Sequence, residues 1–262
     1  MRRPLISFII PVRDRVQLLQ ATLASVFNQT IESWEIILID DHSQPPIKTQ
    51  LDNFEKVQIF RLSKNRGPSY ARNFGLQKAH GQFICFLDSD DRLMPDFCDR
   101  MLQQLRRKPV PVICLTKASF SSGYQFRKKI LQSFINLVRN LVLITSYFIN
   151  RGQLVREAFF AVTLSRLMLP RKILKNIAFN NRMRSCEDWD FVLQLFDRSM
   201  IYILPQALVY FHFSKNSLSE TGRRANRWQS YDQVIERLPV SAQHHPLVLG
   251  FKWYKKLAQI WL

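Results

Sequence analysis

The feature that most constrains this chain is a repeated alternation in its first hundred residues. Short apolar runs, each closed by a polar cluster, are separated by stretches with helical spacing. Residues 5–10 form a β-branched run ended by Pro11, residues 35–40 a second, residues 57–62 an alternating third and residues 83–87 a fourth. Runs this short and apolar suit buried strands. Between them Leu18, Leu19, Thr22, Leu23, Val26 and Phe27 recur at helical intervals, and residues 69–78 form a second helix behind Pro68. Strands spaced by helices of this length predict a parallel sheet of right-handed βαβ units. Ligands of open sheets gather at the carboxyl ends of the strands. Four clusters lie at those ends: Pro11-Val12-Arg13-Asp14, Asp40-Asp41-His42-Ser43, Ser63-Lys64-Asn65-Arg66-Gly67 and Asp88-Ser89-Asp90-Asp91.

The chain has 262 residues, 47% of them hydrophobic, enough for one large domain or two joined halves around a core. Its four cysteines form no CxxC pair, which disfavours a zinc knuckle and suits reduced thiols in a cytosolic compartment. The basic start, Met1-Arg2-Arg3-Pro4, precedes an apolar run broken by Pro11, Arg13 and Asp14, a strand rather than a signal peptide. The formal charge of +18 is unevenly spread. Residues 1–99 hold 12 bases and 12 acids, whereas residues 100–262 hold 26 bases and 8 acids. An anionic partner for the second half follows: a membrane surface, a phosphorylated acceptor or nucleic acid.

From about residue 110 the texture changes. After a strand at 112–115, Ile130, Phe134, Leu137, Leu141, Ile144 and Phe148 recur at intervals of three and four, with Arg127, Lys128, Lys129 and Arg139 around them. This amphipathic helix can bury its stripe in the core or lie in a bilayer interface, and the breadth of the stripe makes the core at least an equal expectation. The weakly charged stretch 140–150 is too short to span a bilayer. A further helix is expected over 157–167. The tail from Pro246 places Leu247, Phe251, Tyr254 and Trp261 on one side of a basic helix.

Asp88-Ser89-Asp90-Asp91 directly follows an apolar run, where two carboxylates two residues apart can offer oxygen ligands to a hard divalent cation. A solvated acidic turn is the plainer alternative. The segments SFIIPV (7–12), EIILIDDHS (35–43), NRGPSYARNFGL (65–76) and FLDSDD (86–91) occur in this order, and together they resemble the nucleotide-sugar half of the family 2 glycosyltransferases, inverting enzymes of the GT-A fold. The likeness is dense over residues 5–105 and reaches thinly to Cys186-Glu187-Asp188-Trp189-Asp190-Phe191.

That resemblance implies an α/β fold with a Rossmann-like, mostly parallel sheet flanked by helices and a helical, basic C-terminal part. It implies three segments: a nucleotide-sugar half at 1–105, an acceptor half at 106–215 and a basic tail at 216–262. Pro11, Val12, Asp14, Asp41, Arg72, Asp88 and Ser89 would contact the donor, a UDP-sugar by preference. Asp90 with Asp88 would hold Mg²⁺ or Mn²⁺, and Asp188 would be the base that takes the acceptor proton. The expected acceptor is a glycan, lipid-linked or phosphorylated hydroxyl compound of cell-surface or lipopolysaccharide-type synthesis, met in the cytoplasm or at its membrane face. For Arg72, Asp41 and Asp188 the residues alone leave open a surface cation, a turn former and a helix-dipole carboxylate.

Two positions depart from the pattern: Asp14 stands where Asn is frequent and His42 where Gly is frequent. His212, a lone histidine between aromatics, falls where some related enzymes place a polar or metal-facing residue, though such a histidine is more often structural. Arg224-Ala225-Asn226-Arg227-Trp228 resembles the RxxRW element of processive synthases and reads as a basic surface segment. The competing classes are a non-catalytic nucleic-acid-binding protein, which no recognised motif supports, and an inactive transferase homologue.

Overall fold

The structure, a computed structural model, describes residues 3–51, 56–122, 124–150, 153–154, 159, 161–183, 185–213, 230, 232–238 and 243. The sequence elements at 224–228 and from 246 onward therefore lie outside the described residues, as does most of the expected basic tail. Of that tail, Asp232 to Glu236 are helical, and Val234, Ile235 and Leu238 join the core.

The four apolar runs form the strands β1 (Ile6–Val12), β2 (Trp34–Asp40), β3 (Val57–Arg61) and β4 (Phe83–Phe86). They pair in parallel in the order β3-β2-β1-β4, with Ile9 opposite both Ile37 and Phe86. β1 runs through Pro11 rather than ending at it. The sheet continues through β8 (Leu167–Pro170), β6 (Val112–Phe120) and β9 (Ile201–Phe213) to β5 (Arg92–Leu93), while β7 (Gln153–Leu154) pairs with β9. The long ladder between β6 and β9 is parallel too, and the antiparallel ladders made by β5, β7 and β8 are two residue pairs each.

Because successive strand residues face opposite sides, the sheet divides the core in two. Ile9, Ile37, Ile84 and Phe86 pack on one side with α2 (Pro68–Lys78) and α5 (Glu187–Phe196), through Ala71, Phe191 and Val192. Phe8, Ile10, Leu38 and Cys85 pack on the other with α1 (Val16–Phe27) and α3 (Phe97–Arg107), through Leu23, Phe97 and Met101. Burial on both faces explains why the strands read as near-continuous apolar runs. All four cysteines are free and buried in these layers.

One expectation is corrected, and one left open is decided in part. Residues 157–167 are not one helix. Among the described residues, Leu164–Arg166 form a single 3₁₀ turn, and Leu167 already begins β8. Arg166 drives this departure. It is fully buried, donating to the Ala161 carbonyl (2.6 Å), the Thr116 hydroxyl (2.6 Å) and Asn140 Oδ1 (2.8 Å), partners a regular helix could not bring to it. The open expectation concerns α4 (Phe126–Ile149), most of whose stripe stays outside the core: Phe134, Leu137 and Leu141 are exposed, while Ile144 packs against the core beside the buried Leu143. The rest of its inner side is polar, with Asn136 and Asn140 both bound to Thr116 of β6.

Candidate active site

The carboxyl ends of β1, β2 and β4 open into one cavity of about 470 Å³. Every residue singled out from the sequence as a donor, metal or base candidate lines it: Pro11, Val12, Asp14, Asp41, Arg72, Asp88, Ser89, Asp90 and Asp188. Asp188 comes from the far side, at the start of α5, so residues a hundred positions apart share the space. The chain reaches this geometry because parallel strands all end at one edge, while the long α4 and β8 return it to the same edge.

Arg72 is the hub. It is buried on α2, and its guanidinium donates to Asp88 Oδ1 at 2.7 Å and to Glu187 Oε1 at 3.2 Å. Its charge stabilises both walls at once, and the two carboxylates hold it protonated more firmly than usual despite burial. Across the cavity Arg15 donates to Asp90 Oδ2 at 2.9 Å. Burial first, and then the neighbouring Asp88 carboxylate, push Asp90 up to about 6, with Arg15 opposing.

The first turn of α5 carries Glu187, Asp188 and Asp190, and the structure gives them different tasks. Asp190 is buried and pairs with Arg237 and Gln194, while Glu187 is taken by Arg72. Asp188 accepts only the Trp189 N–H, at 2.9 Å, from the described residues. Burial and then the Glu187 charge push it up to about 7, against the pull of Arg72. A carboxylate poised near neutrality beside a cavity can take and hold a proton, which a helix-dipole partner would not need to do.

Asp41 and Asp14 do more than face a ligand. The two Asp41 oxygens accept the backbone N–H groups of Arg66 (2.7 Å) and Gly67 (2.8 Å), which pins the loop entering α2. Gly67 has φ of +85° there, a conformation open to glycine at little cost. Each carboxylate oxygen keeps a further lone pair for a ligand. Asp14 Oδ1 accepts the Gln44 N–H at 2.7 Å. The two departures from the family pattern share a backbone cause: Asp14 (φ 53°) and His42 (φ 66°) both adopt the left-handed conformation, which Asn, Asp and Gly tolerate best. His42 is not among the cavity residues.

Sequence reasoning gave His212 little weight and passed over Arg15 and Glu187. His212 lines the cavity, its backbone N–H donates to Asp91 Oδ1 at 3.0 Å, and its Nδ1 lies 3.2 Å from the Ser119 hydroxyl. Its Nε2 is buried without a hydrogen-bond partner. Burial, then Arg92 and Arg15, lower its pKa. The donor set fits a divalent cation in an open form: the two carboxylates Asp88 and Asp90 line the same cavity. No three His, Cys, Asp or Glu side chains among the described residues form a closed cage. A hard cation sharing its shell with a diphosphate needs only one or two protein carboxylates.

The sequence profile of the Glycosyl transferase family 2 matches residues 7–177. An uncharacterized glycosyltransferase of Haemophilus influenzae is 41% identical over 106 residues, 39% of this chain and 42% of that protein. The GalNAc(5)-diNAcBac-PP-undecaprenol beta-1,3-glucosyltransferase of Campylobacter jejuni is 27% identical over 241 residues, 89% of this chain and 72% of that protein. Two solved structures share the fold, each with a TM-score of 0.67. One is TarS 1-349 of S. aureus in complex with UDP-GlcNAc (17% identity, 94% of this chain, 71% of that chain). The other is the mannosyltransferase PcManGT of Pyrobaculum calidifontis in complex with GDP-Man and Mn²⁺ (15% identity, 100% and 72%). With its parallel sheet, its GT-A architecture and a match across most of its length, this chain belongs to glycosyl transferase family 2.

Proposed function

We propose that the cavity binds a nucleotide-diphosphate sugar, a UDP-sugar by preference, and transfers the sugar with inversion to an acceptor hydroxyl. The observation that carries this reading is that Asp188 and the Asp88/Asp90 pair line one cavity, where the buried Arg72 ties Asp88 to Glu187, the neighbour of Asp188. Residues 1–105 supply the donor wall and residues 106–215 the acceptor wall and base.

In this mechanism Pro11 and Val12 border the base, and Asp41 and Asp14 hold the loops that frame it. Asp88 and Asp90 are the residues that would hold Mg²⁺ or Mn²⁺, which would offset the diphosphate charge. The acceptor oxygen attacks the anomeric carbon from the face opposite the diphosphate. A carbon–oxygen bond to the acceptor forms, the bond to the diphosphate breaks with its electron pair, and the acceptor proton passes to Asp188. Arg72 faces the departing charge as a fixed cation. Ser89 completes the donor edge.

The likeness to proteins crystallised with UDP-GlcNAc and with GDP-Man and Mn²⁺ supports a nucleotide-sugar and a divalent ion. The name of the Campylobacter relative, a glucosyltransferase named for an undecaprenol-linked glycan, supports a lipid-linked acceptor in cell-surface glycan synthesis. Incubation with a panel of nucleotide-sugars and Mn²⁺ tests the reading. One donor is expected to release its nucleoside diphosphate slowly without acceptor, and chelation or Asp90→Ala should reduce this by at least about a hundredfold. Stabilisation by oligonucleotides in a steeply salt-dependent way, with no donor hydrolysed, would favour a nucleic-acid-binding protein instead.

A further inference from the structure

α4 has apolar residues on two sides, and only the smaller set is buried. A surface helix of a globular protein turns its apolar stripe to the core and its polar side to water. Here Leu143 is buried, with Ile144 packed against the core, but Asn136, Asn140 and Ser146 also face inward, and the two asparagines are fastened to Thr116 by bonds of 2.6 to 3.2 Å. Those bonds fix the rotation of the helix, because turning the apolar side inward would strand both buried amides and Arg166, which also relies on Asn140. The outward side therefore carries Phe126, Ile130, Phe134, Leu137, Leu141 and Phe148, with Phe134 61% and Phe148 76% exposed. A continuous apolar face along 24 residues, about 36 Å of helix, is more than scattered surface hydrophobes.

Charge identifies the occupant. α4 contains four bases, Arg127, Lys128, Lys129 and Arg139, and no acid, and it lies in a segment, 100–186, with 17 bases and one acid. A second copy would bring the same cations against it, in a chain of net charge +18. The chain's own residues 214–262, with eight bases and three acids, are also of the wrong sign. An anionic lipid surface satisfies both halves of the pattern, since acyl chains accept the apolar side while headgroups meet the run of cations at residues 127–129. Crossing the bilayer is not open to it: no helix among the described residues is long and apolar enough.

We propose that α4 docks in the interface of an anionic bilayer, with its Phe134–Leu141 side among the acyl chains. The inference stands on the helix and goes beyond the reading of the cavity. Arg139, on the inner side of the same helix, lines the cavity, so docking would hold the cavity beside the lipid surface. If the proposed transfer is right, that is where a lipid-borne acceptor would be met.

The test is flotation of the full chain with phosphatidylcholine vesicles, with and without phosphatidylglycerol. Binding is expected only with phosphatidylglycerol and weakened by salt, and the double variant Phe134→Asp/Leu141→Asp should bind at least about tenfold more weakly. As a second readout, a polarity-sensitive dye on Leu141→Cys, accessible where the four native cysteines are buried, should shift to the blue on anionic vesicles. Equal binding of wild type and double variant, equal binding to uncharged vesicles, or an unshifted dye would overturn the proposal. So would concentration-dependent dimerisation without vesicle binding, abolished in the double variant, which would assign the face to a second copy. Donor hydrolysis in solution is expected to be the same in the double variant and wild type, so failure of docking leaves the cavity reading intact, and loss of hydrolysis in Asp90→Ala does not touch docking.

Discussion

Asp188→Asn is expected to lower the rate of sugar transfer by about a thousandfold while leaving donor affinity nearly unchanged. The amide keeps the size of the side chain and its bond to the Trp189 N–H through its remaining oxygen, but it cannot accept a proton. The proposed donor contacts are made by other residues, such as Asp88 and Asp90, so KM for the donor should hold while kcat falls. Because burial and Glu187 place Asp188 at about 7, wild-type transfer should rise with pH and reach half its plateau near there. Stability should run the other way. A carboxyl whose folded pKa lies above its ordinary value stabilises the fold below that ordinary value, and this stabilisation is lost as pH rises through about 7. Asp188→Asn should therefore melt above wild type at pH 8, and the gap should close toward pH 4. Matched melting curves together with the pH–rate profile separate a catalytic base from a structural carboxylate, which would lower activity only along with stability.

Arg72→Leu is expected to cost about 3 kcal/mol of stability in urea denaturation, and to abolish donor hydrolysis. Losing the guanidinium leaves two carboxylates facing each other without a cation. The Asp88 side chain, 30% exposed, can regain water, but Glu187, 14% exposed, largely cannot, which sets the cost near the lower end for a broken buried pair. Arg72→Lys should recover part of the stability and less of the activity, because a point charge cannot reach both partners as the planar fork does. Retention of full stability in Arg72→Leu would mean that the Asp88–Arg72–Glu187 bridge does not hold the two walls together.

The donor wall was readable because its signals are local. Strands buried on both faces appear as apolar runs, their ends as carboxylates, and the order of four such ends fixes the edge of the sheet. Asp88, Asp90 and Asp41 were found in this way. What was not readable depends on contacts between distant segments. The inward side of α4 is chosen by Asn136 and Asn140 reaching Thr116, and periodicity alone shows that a stripe exists, not which way it turns. The turn at Leu164–Arg166 depends on a buried arginine whose partners lie on β6 and α4. His212 gave no signal beyond its own identity, since its standing comes from Asp91, 121 positions earlier, fixing its backbone beside the cavity. Arg15 and Glu187 were missed for the same reason: each matters through the charge it meets across the cavity.

The central claim, that carboxylates from distant strands form one site for a metal-bound diphosphate, is tested most directly by electron paramagnetic resonance of Mn²⁺ with UDP and the full chain. Immobilised Mn²⁺ with phosphorus-31 hyperfine coupling from the nucleotide is expected in wild type, and a free-ion spectrum of Mn²⁺–UDP alone in Asp90→Ala. A bound spectrum identical in both proteins, or no protein-bound Mn²⁺ with any nucleoside diphosphate, would contradict it.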